Sequence, residues 1–134
     1  MIHELAIHSS SREEFIDITP QIERLIPPTG PSSGTITCFV PHTTAGITIN
    51  ENADPDVRRD ILYHLKKQIP QNDPNFRHSE GNSDAHIKAS MMGFSLQLLF
   101  EHRKLVLGTW QAVYFCEFDG PRNRRLIVRV VPLD

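Results

Sequence analysis

Long apolar runs are missing from this chain. None approaches the roughly 20 residues that a membrane-spanning helix requires, so no membrane-embedded part is expected. Cysteine is scarce: Cys38 and Cys116 are the only two in 134 residues. Each lies inside a strand-like apolar run, CFV and YFCEF, which fits two buried thiols in a reducing compartment better than a lone disulfide. No CxxC or HExxH announces a metal, and no GxxxxGK[ST] loop announces an ATPase or GTPase. A basic excess is lacking too, with a net charge of -2 and a pI near 6.4. That balance argues against a general nucleic-acid binder. The opening MIHELAIHSSSREEF has no basic region followed by a long apolar core, so no secretory signal is expected and a cytoplasmic location is.

What is present reads as an ordinary globule, with 39% hydrophobic and 22% charged residues. The length suits one domain over residues 1–134 with one core. MIHELAIH and EFIDI alternate as strands, and TPQIERLI reads as a helix with Thr19 as N-cap and Pro20 at its first position. PPTGPSSG must be a loop. TITCFVPH places Ile36, Cys38, Val40 and His42 on one face, and AGITINEN continues as a strand. In NADPDVRRDILYHLKKQIP, Asp54 caps a helix whose stripe is Val57, Ile61, Leu65 and Ile69, with His64 at its boundary and Pro70 as its stop. DAHIKASMMG predicts a second helix with Ser83 or Asp84 capping, Ile87 and Met91 facing inward and Gly93 closing it. SLQLLF, KLVLG, TWQAVYFCEF and RRLIVRVV complete the strands. Strands outnumber helices in mixed order, which predicts an α+β fold of mostly antiparallel sheet.

Of seven histidines, His42, His78 and His86 stand at element ends beside small or polar residues, where side chains can converge. His3, His8 and His102 read as solvated. Catalytic zinc takes three ligands of His, Asp or Glu type and keeps one position open, so these three histidines, with Glu51 or Glu80 nearby, could build such a site. Uncoordinated pocket residues are the alternative. In TWQAVYFCEFDGPRNRR, Trp110, Ala112, Tyr114, Cys116 and Phe118 share one strand face, and Gln111, Val113, Phe115, Glu117 and Asp119 share the other. A carboxylate at Glu117 on such a face needs a partner. Arg122, Arg124 or Arg125 can supply it, with Arg125 better suited to an edge ion pair. Arginines in a glycine–proline turn equally suit a phosphate, whose oxygens match the guanidinium fork.

Three segments together, HTTAGITINENADPDVRRDI, HSEGNSDAHIKASMMG and LGTWQAVYFCEFDGPRNRR, resemble the YjbQ-like family over essentially the whole chain. Its members are commonly labelled secondary thiamine-phosphate synthases. The resemblance implies a compact, sheet-rich sandwich or barrel with two to three helices, assembled as a homotrimer. It further implies one pocket of polar motif residues, near subunit contacts, where a divalent metal such as zinc binds. The metal set carried over is His42, His78 and His86. Glu51, Asp54 and Glu117 become the catalytic acids. Asn82, Lys88, Trp110, Gln111, Asp119, Arg122 and Arg124 become the substrate contacts. Two positions depart from the family pattern: EHRK stands before the LGTWQ strand, and Phe76 stands where a tyrosine is usual.

These features predict a small enzyme with a metal-assisted pocket for a phosphorylated or diphosphorylated metabolite, with thiamine-phosphate synthase activity as one possible reaction. Arg122, Arg124 and Lys88 would neutralise a departing diphosphate. Two rivals stay open: a trimeric module that binds a phosphometabolite without turnover, and a structural trimer whose polar residues form an ion-pair network.

Overall fold

The computed structural model describes residues 2–133. In chain order the elements are β1 (Ile2–His8), β2 (Glu14–Asp17), α1 (Thr19–Glu23), β3 (Gly34–Phe39), β4 (Ala45–Glu51), α2 (Pro55–Gln68), α3 (Ser83–Met92), β5 (Ser95–Glu101), β6 (Lys104–Leu105), β7 (Gln111–Glu117) and β8 (Asn123–Pro132). They form a five-stranded sheet, β1-β8-β3-β5-β6, and a three-stranded sheet, β2-β7-β4. Every described pairing is antiparallel. The sheets pack as a half-barrel, the sheet-rich α+β architecture that the alternating apolar patterns predict.

Strand β7 explains the layering. Val113 and Phe115 point between the sheets, into a core with Ile36, Cys38, Leu126 and Val128. Ala112, Tyr114, Cys116 and Phe118 point the other way and pack with Leu65, Ala85 and Ala89 of the helices. A strand covered on both faces reads as a continuous apolar run, so AVYFCEF has no polar alternation until Glu117. Both cysteines are buried and unpaired. Burial pushes the Cys38 thiol up to about 12 and raises that of Cys116 further, which fits inert thiols.

Helix α2 forms as its sequence predicts. The Asp54 carboxylate accepts from the Asp56 amide at 2.9 Å, and Pro55 opens the first turn. The stripe faces the core while His64 is exposed rather than at a packing boundary.

Several helix expectations fail. Thr19 does not cap α1: its hydroxyl accepts from the Val113 amide at 2.9 Å, tying the helix start to the sheet, and Ile18 takes the cap position. In α3 the inward face belongs to Asp84, Ala85, Lys88 and Ala89, whereas Ile87 and Met91 are exposed. Gly46 shows why small residues are selected there. A Cβ on it would lie 2.8 Å from the Gly93 carbonyl and 3.0 Å from the Met92 Cβ, so α3 rests almost on the backbone of β4. The predicted KLVLG strand shrinks to Lys104–Leu105, after a hairpin turn in which His102 and Arg103 take positive φ angles of 52° and 61°.

Candidate functional site

The site grows from one buried ion pair between the sheets. Glu117 ends β7 and Arg124 is the second residue of β8. The Arg124 guanidinium donates from Nε to Glu117 Oε1 at 2.9 Å and from Nη2 to Oε2 at 2.5 Å. Ser9 Oγ and the Asp119 amide also donate to the same carboxylate, at 2.6 and 3.0 Å. Burial alone would push the Glu117 carboxyl up. The bonds from Arg124, Ser9 and Asp119 outweigh it and hold the carboxyl below the usual carboxylate range. Glu117 is therefore ionised and fully engaged, which removes it as a general base. Its role is to position Arg124, the partner the sequence left open among three arginines. Arg125 instead makes an exposed pair with Glu4 at 3.4 Å, as its edge position suggested.

The loop between these two residues is held tightly. A Cβ on Gly120 would collide with the Ser11 carbonyl and come within 2.7 Å of Ser9 Oγ and 2.8 Å of Glu117 Cγ. Only glycine admits that approach. The Gly120–Pro121 peptide is cis.

Arg124 is 7% exposed, and its Nη2 also donates to Thr44 Oγ1 at 2.8 Å. No described residue accepts from its Nη1. Arg124 is also part of the lining of an open, mainly polar cleft of about 390 Å³. Arg122 stands on the rim, donating to the Asp119 carboxylate at 2.9 Å and to the Asp119 carbonyl at 2.8 Å. Thr43, Glu80 and His86 complete the wall. The N-terminal end of α3 also opens here, with the Asn82 carbonyl taking the first helical bonds from Ala85 and His86. Its positive dipole end favours an anion.

Asn82 is buried against this cleft. Its Nδ2 donates to Asp119 Oδ2 at 2.8 Å, while its Oδ1 meets no donor among the described residues. An unmet buried acceptor costs about 1–3 kcal/mol. Asn82 also occupies the N-cap position expected for Ser83 or Asp84, without a side-chain cap bond.

The three histidines do not converge. His42 Nε2 accepts from the Arg125 amide at 3.0 Å, which places the ring proton on Nδ1. Burial first, then the charges of Arg124 and Arg125, push its pKa down, so His42 is neutral at pH 7. His78 and His86 stack edge to face with centroids 5.3 Å apart, and His78 lies 3.8 Å from Glu80. Among the described residues no three His, Cys, Asp or Glu side chains group as metal ligands. The donor set expected for zinc from His42, His78 and His86 is therefore not assembled within one chain. His42 has one nitrogen committed to the backbone, and although His86 lines the same cleft, its ring stacks on His78.

Lys88, expected to face a diphosphate, is fully buried. Its Nζ donates to Asp84 Oδ2 at 2.9 Å and Glu13 Oε2 at 3.2 Å, while Arg12 donates to both oxygens of Asp84 at 3.1 and 3.0 Å. Burial pushes the Asp84 carboxyl up, but Arg12 and Lys88 outweigh it and bring it below its ordinary value. This network fastens α3 to the β1–β2 connection, so Lys88 is a structural cation. The i,i+4 spacing of Asp84 and Lys88 was a visible signal of it; Arg12, distant in sequence, gave none.

Glu51, Asp54, Trp110 and Gln111 sit elsewhere. In the β4–β7 register Ala45 opposes Glu117 and Glu51 opposes Gln111, so the two sets lie roughly 20 Å apart along the strands at about 3.3 Å per residue. There Glu51 accepts from Tyr114 Oη through its backbone carbonyl at 3.0 Å. Gln111 accepts from the Gly108 amide at 2.8 Å, and Trp110 is largely exposed. Thr43 and Thr44 line the cleft although the HTT motif was read for its histidine alone. Of the expected contacts the cleft gathers His42, His86, Asn82, Asp119, Arg122 and Arg124.

The architecture and cleft define an α+β domain of two antiparallel sheets with a polar, arginine-walled hollow at one end of the sandwich. The family profile described as "UPF0047 protein YjbQ-like" matches residues 3–132, and the chain belongs to that family. It is similar to "UPF0047 protein YugU" of Bacillus subtilis, 47% identical over 131 residues that cover 98% of this chain and 99% of the relative. A "UPF0047 protein" of Methanocaldococcus jannaschii is 50% identical over 131 residues, covering 98% and 94%. Among solved structures, a yjbq/upf0047 family protein from Clostridium acetobutylicum superposes with a TM-score of 0.92 at 53% identity, covering 96% of this chain and 99% of that one. A conserved hypothetical protein from Thermus thermophilus gives 0.90 at 42% identity, covering 96% and 99%.

Proposed function

We propose that the protein is a small enzyme acting on a phosphorylated or diphosphorylated metabolite, bound in the cleft walled by Arg124, Arg122, Thr43 and His86. The observation that supports this most is Arg124. Its guanidinium is held by Glu117 and Thr44, its Nη1 has no acceptor among the described residues, and the residue lines the cleft. A cation fixed in a dry frame needs no reorganisation to meet an anion. Arg122 is the adjustable second cation, since its side chain is half exposed. The imidazole of His86 is the group available for proton transfer. Neutral His42 contributes a hydrogen-bond donor at Nδ1. Thiamine-phosphate synthase activity, implied by the family resemblance, suits a site that takes up a leaving diphosphate on two arginines. No step is routed through a metal, because the expected histidine ligands do not meet.

Inorganic phosphate, diphosphate and a phosphomonoester panel should raise the melting temperature. The expected stabilisation is about 2.7 kcal/mol at a concentration 100 times Kd. Arg122→Gln and His86→Ala should each weaken binding at least tenfold with the fold intact. A melting curve unmoved by all of these anions would refute the reading. Binding without any product from the same panel would favour the non-catalytic module instead.

The homotrimer belongs to this reading as well. The outer face of the five-stranded sheet carries exposed Ile2, Phe39 and Leu99, an apolar set suited to contact with other copies. Light scattering should give three times the chain mass, and Phe39→Glu should reduce it to one. A monomeric wild type would remove the trimer.

A further inference from the structure

The orphaned carbonyl of Asn82 carries more information about the ligand than the arginines do. Cations accept any anion of suitable size, whereas an acceptor selects for a proton. The amide cannot be turned round: with Nδ2 bonded to Asp119 Oδ2 at 2.8 Å, a flip would set two oxygens against each other. Arg122 shares the same Asp119 oxygen at 2.9 Å, so two donors already fix that carboxylate. Oδ1 is thus locked as an acceptor, no described residue serves it, and it lies beneath the cleft lining, out of contact with solvent until that lining moves. Asn82 is also the residue at which the positive end of α3 meets the cleft.

Resting on the phosphate reading above, we propose that Asn82 Oδ1 is a proton-reading contact that restricts the cleft to phosphoryl ligands bearing a hydrogen-bond donor. The donor is either the hydroxyl of a hydrogen phosphate or a hydroxyl on the carbon skeleton next to a phosphoester. Such a ligand places its anionic oxygens on Arg124 and Arg122 and its O–H on Asn82 Oδ1. Arg122, half exposed, swings from Asp119 to admit it. An anion without a proton brings a lone pair against Oδ1 and is rejected, because a site built around a buried polar group discriminates strongly when that group stays unpaired. Asp119 and Glu80 on the same wall add acceptors and reinforce the preference.

Three dianions of similar size separate the possibilities at pH 8, where a phosphomonoester with a second pKa of about 6 is fully ionised. Hydrogen phosphate carries a proton; sulfate and methyl phosphate do not. Calorimetry on the wild type should show phosphate binding at least tenfold tighter than sulfate. A tenfold preference for phosphate over methyl phosphate assigns the donor to the phosphate itself. Recovery of affinity with glycerol 3-phosphate, but not methyl phosphate, assigns it to a neighbouring hydroxyl. Asn82→Leu should bring the phosphate-to-sulfate ratio close to one while sulfate affinity changes less than threefold. Asn82→Ser, which keeps an acceptor in a smaller side chain, should retain part of the ratio and covers the case in which the leucine variant fails to fold. Equal binding of phosphate, sulfate and methyl phosphate by wild type would overturn the inference while leaving the anion site standing. Absence of binding by all three would overturn both.

Discussion

Glu117→Ala should lower the unfolding free energy by about 3–5 kcal/mol, the range for removing one member of a buried ion pair. The loss would come mainly from the charge left behind. Arg124 would stay 93% removed from water with only Thr44 to receive it, and Ser9 and the Asp119 amide would lose their acceptor. Replacing both charges, as in Glu117→Leu with Arg124→Met, should cost less than the single change, because no uncompensated charge remains. That double variant would lack Arg124 at the cleft and keep only Arg122, so phosphate should raise its melting temperature less than that of the wild type. Chemical denaturation of the three proteins checks both statements. A double variant less stable than Glu117→Ala would show that the pair itself contributes net stability.

Asp84→Ala should be comparably damaging, again by about 3–5 kcal/mol. It strands the buried Lys88 ammonium with Glu13 alone and leaves Arg12 only its 3.4 Å contact with Glu13, loosening α3 from the β1–β2 connection. Lys88→Met should be milder, since Asp84 keeps the two-pronged bond from Arg12. The pH dependence follows from the same groups. Asp84 and Glu117 both have folded pKa values below their ordinary ones. Their stabilising contribution is therefore complete above the unfolded carboxyl pKa of about 4, and it is lost as pH falls through that value towards the folded pKa. Wild type should lose stability steeply below pH 4, and Asp84→Ala more shallowly. Parallel acid curves for the two proteins would contradict this assignment.

The readable parts of this sequence were those governed by local rules. Asp54, Pro55 and the Val57–Ile69 stripe specify α2 through spacing alone, and strand alternation placed the two faces of β7 correctly. The need of Glu117 for an arginine was legible from the cost of burying a carboxylate, although which arginine depended on the register across two sheets. Failures arose where a distant partner overrides a local preference. Thr19 would cap a free helix but serves a sheet amide from Val113. Ile87 would face a core but α3 turns its alanines inward, because Gly46 leaves room only for small groups. Motif order in the sequence likewise suggested one pocket, yet antiparallel register sends Glu51 and Gln111 to the opposite strand ends from Thr44 and Glu117.

The order of pairing bears on how such a chain is made. Strand β1 pairs only with β8, and β2 and β4 pair only with β7, so the first half of the polypeptide waits for strands encoded at its far end. A nascent chain that has reached residue 110 has no template for three of its strands, and their apolar faces stay open to solvent. Assembly must then close long loops late and together, from about half the chain for β4 with β7 to nearly all of it for β1 with β8, the pattern associated with slow folding and exposure to aggregation. The strands that carry Glu117 and Arg124 are thus also the ones whose arrival completes the molecule, so the cleft takes shape only once the rest of the fold is in place.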